Sequence, residues 1–145
     1  MASENFVSYS IMMALKKEQW AVPHYHPPGG QAAWGIYVSE ELVYLDILAY
    51  KEGTVLLVEN KAKFSRKDIE KLRRIISDKS AIEQVKEFVS SRYEVDRVNV
   101  GLQFCLVHGY SGTVVSDSLP DVNLIYVHED GSLTVTASHI NPLVI

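Results

Sequence analysis

The sequence predicts an α/β protein in which helices flank a central mixed β-sheet. Two observations lead to this class: three strand-like segments follow one another through short turns, and two helical segments separate them from further strands. Short turns join antiparallel strands, whereas a strand that returns after a helix usually runs parallel to its neighbour. Because the 145 residues contain no repeat and no long linker, we expect one domain over residues 1–145.

The first third of the chain is predicted to form a helix, a loop and the start of the sheet. Apolar residues at three- and four-residue spacings predict a helix over residues 4–20, with Ser3 as its N-cap. Residues 23–30 contain three prolines and two glycines, which favours a loop. Aromatic and β-branched residues predict strands over residues 34–38 and 42–50.

The middle of the chain is predicted to continue with a strand and two helices. The strand, over residues 54–64, opens with the apolar run VLLV, as a strand buried on both faces would. Ser65 is suited to cap a helix over residues 66–78, because Asp68 follows three positions later. Apolar residues on one face then predict a second helix over residues 81–92.

The last third of the chain is predicted to add strands to the sheet. Residues 98–110 and 123–137 are rich in apolar and β-branched residues, and Asp130-Gly131 is a strong hairpin signal. Residues 140–145 are apolar, so they are expected to pack on the core or against a second subunit. A homodimer is the expected assembly.

The composition favours a soluble, cytoplasmic protein without a membrane partner. Apolar residues make up 47% of the chain and charged residues 22%, but no apolar run approaches the ~18 residues that a membrane span requires. The N-terminal residues lack the charge order of a secretory signal, and the single Cys105 cannot form an internal disulfide. A net charge of −4 argues against a protein that coats nucleic acid by charge alone.

Three ionisable residues are predicted to converge at one end of the central hairpin. If Glu52 and Gly53 form the centre of a tight turn, the numbers of paired residues sum to 105 and Asp46 lies opposite Glu59. Lys61 then points to the same face, because side chains alternate along a strand.

This arrangement indicates a metal-assisted catalytic site. Two neighbouring carboxylates repel each other unless a proton or a cation lies between them, and burial increases that repulsion. Mg²⁺ or Mn²⁺ suits such a pair, because hard cations take carboxylate, water and phosphate oxygens as ligands. An acid followed two positions later by lysine is common on surfaces, so a structural cluster of charges is the alternative. The position of Glu59-Asn60-Lys61 after a buried strand favours catalysis.

The segments LDILAY and VLLVENKAKF together resemble the core hairpin of the PD-(D/E)xK nuclease superfamily, which includes restriction endonucleases and archaeal-type Holliday junction resolvases. Asp46 matches the first motif acid, Glu59 the second and Lys61 the lysine. The resemblance covers about residues 4–78. It implies a restriction-endonuclease-like α-β-β-β-α-β core, here with an extra C-terminal hairpin, and Mg²⁺- or Mn²⁺-dependent endonucleolytic hydrolysis of phosphodiester bonds in DNA.

The resemblance also implies a further metal-site acid on the first helix. Glu18 is the nearest candidate, and Glu4 is the weaker alternative. Leu45 precedes Asp46 where the motif has proline, a departure that many members share. Gln84 lies too far beyond the lysine to match the glutamine that follows it in the superfamily.

A basic segment after the hairpin predicts contacts with phosphates. Between Lys61 and Arg74 stand seven basic residues and two acidic ones, although a solvated helix face is the alternative. The residues predicted to contact nucleic acid are Lys63, Arg66, Lys67, Arg74, His24 and His26. The two histidines have a second interpretation, as zinc ligands together with Cys105 and His108.

DNA is the leading partner that these features predict, and two alternatives remain open. One is a catalytically inactive nuclease-fold module that binds nucleic acid or protein. The other is a nuclease that acts on RNA, because substrate choice depends on loop shape and dimer geometry.

Overall fold

The computed structural model describes residues 2–27, 34–93 and 101–143. The elements in these ranges are α1 (Glu4–Lys17), β1 (Ala21–Tyr25), β2 (Ile36–Val38), β3 (Glu41–Val43), β4 (Ile47–Lys51), β5 (Thr54–Asn60), α2 (Arg66–Ser77), α3 (Lys79–Tyr93), β6 (Gln103–Tyr110), β7 (Val122–Val127) and β8 (Leu133–Thr136). No helix in the described ranges has the length and apolar character needed to cross a membrane.

Six strands form a mixed sheet in the order β1-β4-β5-β6-β7-β8, and β2 pairs with β3 in a separate sheet. Strands β1, β4 and β5 pair with one another in antiparallel fashion, β5, β6 and β7 pair in parallel, and β8 is antiparallel to β7. One face packs against α2, α3 and the β2–β3 hairpin, and the other packs against α1. The predicted class, an α/β fold with a mixed sheet between helices, is confirmed.

Strand β5 lies at the centre of the molecule and is buried on both faces, as its apolar run predicts. Val55 and Leu57 belong to the core on the side of α2 and α3, whereas Leu56 and Val58 belong to the core beneath α1. All four side chains are fully buried. Burying a side chain of this size contributes about 1.5–3 kcal/mol. The polar residues at the end of β5 therefore project from a firmly packed strand.

The hairpin between β4 and β5 has the predicted register. The pairs run from Lys51↔Thr54 to Ile47↔Val58, each with numbers that sum to 105. Glu52 has φ 48° and the following glycine has φ 85°, as expected for the tight turn that favours glycine at this position. Turn chemistry alone therefore fixes which residues meet at the far end of the hairpin.

The two predicted helix caps are also observed. Ser3 Oγ accepts a hydrogen bond from the Phe6 amide, and Ser65 Oγ accepts one from the Asp68 amide. Helix α1 ends at Lys17, three residues earlier than predicted, because the backbone turns into the left-handed region at Gln19 (φ 68°).

Two predictions on the amino-terminal side of the sheet are wrong, one of a loop and one of a strand. Residues 21–25 form strand β1 although the loop is predicted to begin at residue 23. Pro23 is tolerated there because β1 is an edge strand and its pairing with β4 is irregular between Ala21 and His24. The predicted strand over residues 42–50 is two strands, because β3 pairs with β2 and only β4 enters the large sheet.

The remaining differences concern the ends of segments. The strand predicted over residues 54–64 ends at Asn60, and the strand predicted from residue 98 begins at Gln103. Residues 28–30 of the predicted loop, 98–100 of the predicted strand and 144–145 of the apolar end lie outside the described residues. Leu143 is buried in the core beneath α1, as expected for part of that apolar end.

Candidate active site

Asp46 and Glu59 meet at the open end of the β4–β5 hairpin. Asp46 immediately precedes β4, and its Oδ2 accepts a hydrogen bond of 2.7 Å from the Asn60 amide on β5. Glu59 is the penultimate residue of β5 and is only 2% exposed. The register of the hairpin thus brings two acids together where the sequence predicts them.

The environment of these two acids opposes their ionisation. Burial, together with the negative charge of Asp46, raises the pKa of Glu59 to about 8 against the opposing effect of Lys71. Burial likewise raises the pKa of Asp46 to about 6, although the Asn60 amide stabilises its charged form. At pH 7 the pair therefore retains about one proton unless another positive charge enters the site.

Lys71 on α2 is the basic residue that contacts Glu59. Its Nζ lies 3.0 Å from Glu59 Oε1 and also donates a hydrogen bond to the backbone carbonyl of Tyr44. Lys71 belongs to the basic segment of the sequence, but no role in the site is predicted for it. A signal is present, because Lys71 stands three positions after Asp68, the buried acid of the same helix.

Lys61 lies at the site but contacts a second pair of acids. Its Nζ is 3.3 Å from Glu4 Oε1 and 3.9 Å from Asp68 Oδ1. Partial burial lowers the pKa of Lys61, but the charges of Asp68, Glu4 and Asp46 outweigh this effect and raise it. The structure thus gives the direct contact with Glu59 to Lys71, and it leaves the Lys61 side chain 47% exposed.

Asp68 is a further buried acid that the sequence analysis did not assign to the site. Only 5% of it is exposed, and its Oδ2 has no hydrogen-bond partner. Burial raises the pKa of Asp68 against the opposing charges of Lys61 and Lys71. A carboxylate oxygen without a hydrogen-bond partner in this position can bind a cation or accept a hydrogen bond from a water molecule.

His108 joins the strand that carries Glu59 to the helix that carries Lys71. Its Nε2 accepts a hydrogen bond from the Ser65 amide, so the ring proton is on Nδ1 and is donated to the Glu59 carbonyl. Burial lowers the pKa of His108 to about 4, so the ring is neutral at pH 7. His108 therefore positions the backbone of Glu59.

The expectation that Glu18 completes the acid set is wrong. Glu18 caps the C-terminal end of α1, where its carbonyl accepts a hydrogen bond from Lys51. A helix rises about 1.5 Å per residue, which separates Glu18 from Glu4 by about 20 Å along the axis. Glu4, the weaker alternative, is the glutamate of α1 that lies at the site.

The structure places the two histidines that were predicted to contact nucleic acid, His24 and His26, in different environments. His24 is 4% exposed and its Nε2 is 2.8 Å from the Leu45 carbonyl, so burial removes it from contact with a substrate. His26 is partly exposed, and its amide donates a hydrogen bond of 2.7 Å to the Asp46 carbonyl. His26 therefore lies at the edge of the site, as a substrate contact would.

The zinc alternative is not supported by the placement of its ligands. Cys105 and His108 stand three apart on β6 and therefore point to opposite faces of the sheet. Cys105 is buried beneath α1, where its thiol contacts the Asn141 carbonyl. Among the residues that the structure describes, no three histidine, cysteine or acidic side chains form a group that could hold a metal ion.

The four predicted phosphate contacts from the basic segment all lie at the surface. They are Lys63, Arg66, Lys67 and Arg74. Arg66 lies over the ring of Phe64, and Arg74 is 3.5 Å from Glu41 on β3. These side chains are accessible to a ligand near α2.

Comparisons of the chain with protein-family models, with curated proteins and with solved structures give no match.

Proposed function

We propose that the protein is a metal-dependent nuclease that hydrolyses phosphodiester bonds in DNA. Asp46 and Glu59 would hold its metal ion. The observation that carries this proposal is the meeting of the partly buried Asp46 and the buried Glu59 at one end of the hairpin, where their pKa values are raised to about 6 and about 8 beside an ammonium group 3.0 Å from Glu59. Lys71 is thus insufficient to hold both acids ionised at pH 7. A divalent cation would supply the additional positive charge that keeps both acids ionised.

The available ligand atoms suit Mg²⁺ or Mn²⁺. Asp46 and Glu59 offer carboxylate oxygens, and Asp68 is close enough for its charge to raise the pKa of both. Mg²⁺ commonly takes only one or two carboxylates and fills its remaining positions with water and substrate phosphate. Such an ion lowers the pKa of a bound water and neutralises charge that develops on the phosphoryl group.

Lys61 is suited to act on the scissile phosphate. Its side chain is half exposed and held by Glu4 at 3.3 Å, a surface ion pair of the kind that contributes little stability. Exchange of Glu4 for a phosphate oxygen would place the ammonium where negative charge increases during hydrolysis. Before the substrate binds, Glu4 and Asp68 would keep Lys61 protonated and oriented.

The order of the elements supports the resemblance to the PD-(D/E)xK nucleases. Helix α1 precedes three antiparallel strands, β1, β4 and β5, and β6 follows helices α2 and α3 in parallel with β5. This order agrees with the α-β-β-β-α-β core that the resemblance implies, with β2–β3 as an insertion.

Cleavage assays on a panel of substrates test the proposal. Labelled branched, duplex and single-stranded DNA and single-stranded RNA are incubated with Mg²⁺, Mn²⁺ or a chelator. Glu59→Gln and Lys61→Met should abolish metal-dependent cleavage, whereas Glu83→Gln, which alters an exposed acid on α3, should not. Cleavage by the wild type in chelator, or normal cleavage by Glu59→Gln, would refute the assignment.

The Lys71–Glu59 pair also favours a second candidate, a non-catalytic module of the same fold. In such a module Lys71 is the permanent counterion and no metal ion is required. It would bind nucleic acid or protein equally well in chelator and in Mg²⁺, and it would cut none of the substrates.

A further inference from the structure

We propose that the β2–β3 hairpin is a stacking platform for unpaired bases, which makes single-stranded nucleic acid the preferred ligand beside the catalytic acids. This inference rests on the proposed function for the chemistry of the site, but its own basis is a separate surface. We call this surface the aromatic platform and define it by Tyr37, Leu42, Tyr44 and His26.

The aromatic platform is continuous and exposed. Tyr37 is 57% exposed, Leu42 40% and Tyr44 39%. Tyr37 and Leu42 are directly paired across β2 and β3. Leu42 and Tyr44 both cover the backbone of Gly35, where an added Cβ would lie 2.8 Å from each side chain. The His26 ring packs edge-on against Tyr44, with 6.0 Å between the centroids.

Two backbone contacts connect the aromatic platform directly to the candidate active site. Lys71 Nζ donates hydrogen bonds both to the Tyr44 carbonyl and to Glu59. The His26 amide donates to the carbonyl of Asp46. Bases on the platform would therefore belong to nucleotides next to the phosphate that reaches Asp46 and Glu59.

A row of basic residues on α2 runs beside the platform. Lys67, Lys71 and Arg74 are spaced by four and three residues, which places them on one face of the helix. Lys71 contacts the backbone of Tyr44, and Arg74 lies 3.5 Å from Glu41, the neighbour of Leu42. Sites for single strands combine basic residues that follow the phosphates with aromatic rings that receive the bases.

The platform is held in place before any ligand binds. Gln84 on α3 accepts a hydrogen bond from the Tyr37 amide and donates one to the Tyr37 carbonyl, both at 2.9 Å. Asp78 accepts a further hydrogen bond from the Ser39 amide. A pre-formed platform lowers the entropy cost of ordering the protein on binding. A base-paired duplex covers its base faces, so it cannot use the tyrosine rings in this way.

Binding measured in chelator tests the platform separately from catalysis. The probes are single-stranded DNA and RNA that contain a fluorescent adenine analogue, with a blunt duplex of the same length at the same salt concentration. We expect single strands to bind about tenfold or more tightly than the duplex and the analogue to be quenched. Tyr37→Ala and Tyr44→Ala should each weaken single-strand binding about tenfold, because each removes a stacking partner.

Two controls separate stacking from other roles of the tyrosines. Tyr37→Phe and Tyr44→Phe keep the ring and should keep the affinity within about twofold of the wild type. Ile140→Ala removes a side chain that is 60% exposed and lies beside Pro120, before the start of β7, so it should have no effect. Thermal melting checks that each variant is folded.

Two results would overturn the platform: equal affinity for single strands and duplex, and unchanged affinity in the folded alanine variants. If those variants with unchanged affinity also shift from dimer to monomer, the surface is assigned to contact between two copies of the chain. Loss of cleavage activity bears only on the proposed nuclease function, because no metal ion is present in the binding assay.

Discussion

The ammonium group of Lys71 lies 3.0 Å from the carboxylate of Glu59, and burial nevertheless raises the pKa of Glu59 to about 8. Asp46 contributes to this shift, because its charge repels that of Glu59. The site thus holds two acids and one contacting lysine in an environment that favours still more positive charge. This imbalance connects the fold to the proposed chemistry.

Replacement of Lys71 tests whether lysine and metal compete for Glu59. Lys71→Met removes a positive charge from the site, so Mn²⁺ should bind about tenfold more tightly than to the wild type, a change of about 1.4 kcal/mol. Lys63→Met removes an exposed lysine from the same segment and should leave the affinity unchanged. Calorimetric titration gives both values, and weaker binding by Lys71→Met would exclude competition.

The raised pKa of Glu59 predicts how stability depends on pH. Between pH 6.5 and 8 the unfolded chain has released this proton while the folded protein retains it, so the free energy of unfolding should fall as pH rises. The slope is at most about 1.4 kcal/mol per pH unit for one group. In Glu59→Gln the free energy of unfolding, measured by urea titration, should depend less on pH over this range. An equally steep slope in that variant would contradict the raised pKa of Glu59.

Below pH 6.5 the two buried histidines should oppose the effect of the two acids. Burial lowers the pKa of both His108 and His24, so these rings stay neutral in the folded protein while the unfolded chain takes up protons. Their contribution to the free energy of unfolding falls as pH decreases through 6.5, whereas the raised pKa values of Glu59 and Asp46 act in the opposite direction. Glu59→Gln removes one of the opposing acids, so the free energy of unfolding of this variant should fall more steeply than that of the wild type as pH decreases below 6.5.

Asp46→Asn should lower activity without lowering stability. The asparagine side chain can still accept the hydrogen bond from the Asn60 amide, and its neutral group no longer repels Glu59. The melting temperature should be unchanged or raised at pH 8, while cleavage is lost. Asp117→Asn, on an exposed loop, should change neither quantity. A clear fall in melting temperature would show that Asp46 has mainly a structural role.

Gly109 is predicted to be essential for the packing beneath the site. A Cβ at this position would collide with the Ile11 side chain and with Asn60 Oδ1. Gly109→Ala should therefore destabilise the protein by about 1–3 kcal/mol. Gly101→Ala is the matched control, because nothing lies within 4 Å of a Cβ there. Denaturant unfolding of the two variants gives the comparison, and equal stabilities would contradict the predicted collision.

The sequence predicted those parts of the structure that depend on local chemistry. The turn at Glu52 and Gly53 set the register of the hairpin, and with it the meeting of Asp46 and Glu59. The cap at Ser65 set the start of α2. Each of these features depends on a few neighbouring residues with strong conformational preferences.

Contacts that depend on tertiary packing were not predicted. The packing of α2 against the sheet brings Lys71, rather than Lys61, into contact with Glu59. The direction in which α1 crosses the sheet decides that Glu4, rather than Glu18, lies at the site. The edge position of β1 allowed a strand through Pro23 that composition alone argued against.

The most direct test of the central claim is calorimetric titration of the protein with Mn²⁺ at pH 7, in two buffers with different ionisation enthalpies. We predict that the wild type binds the ion and releases about one proton, because the pKa of Glu59 is about 8 before the ion enters. Glu59→Gln should lose both the binding and the proton release. Absence of binding in the wild type, or binding retained in full by Glu59→Gln, would contradict a metal site at Asp46 and Glu59.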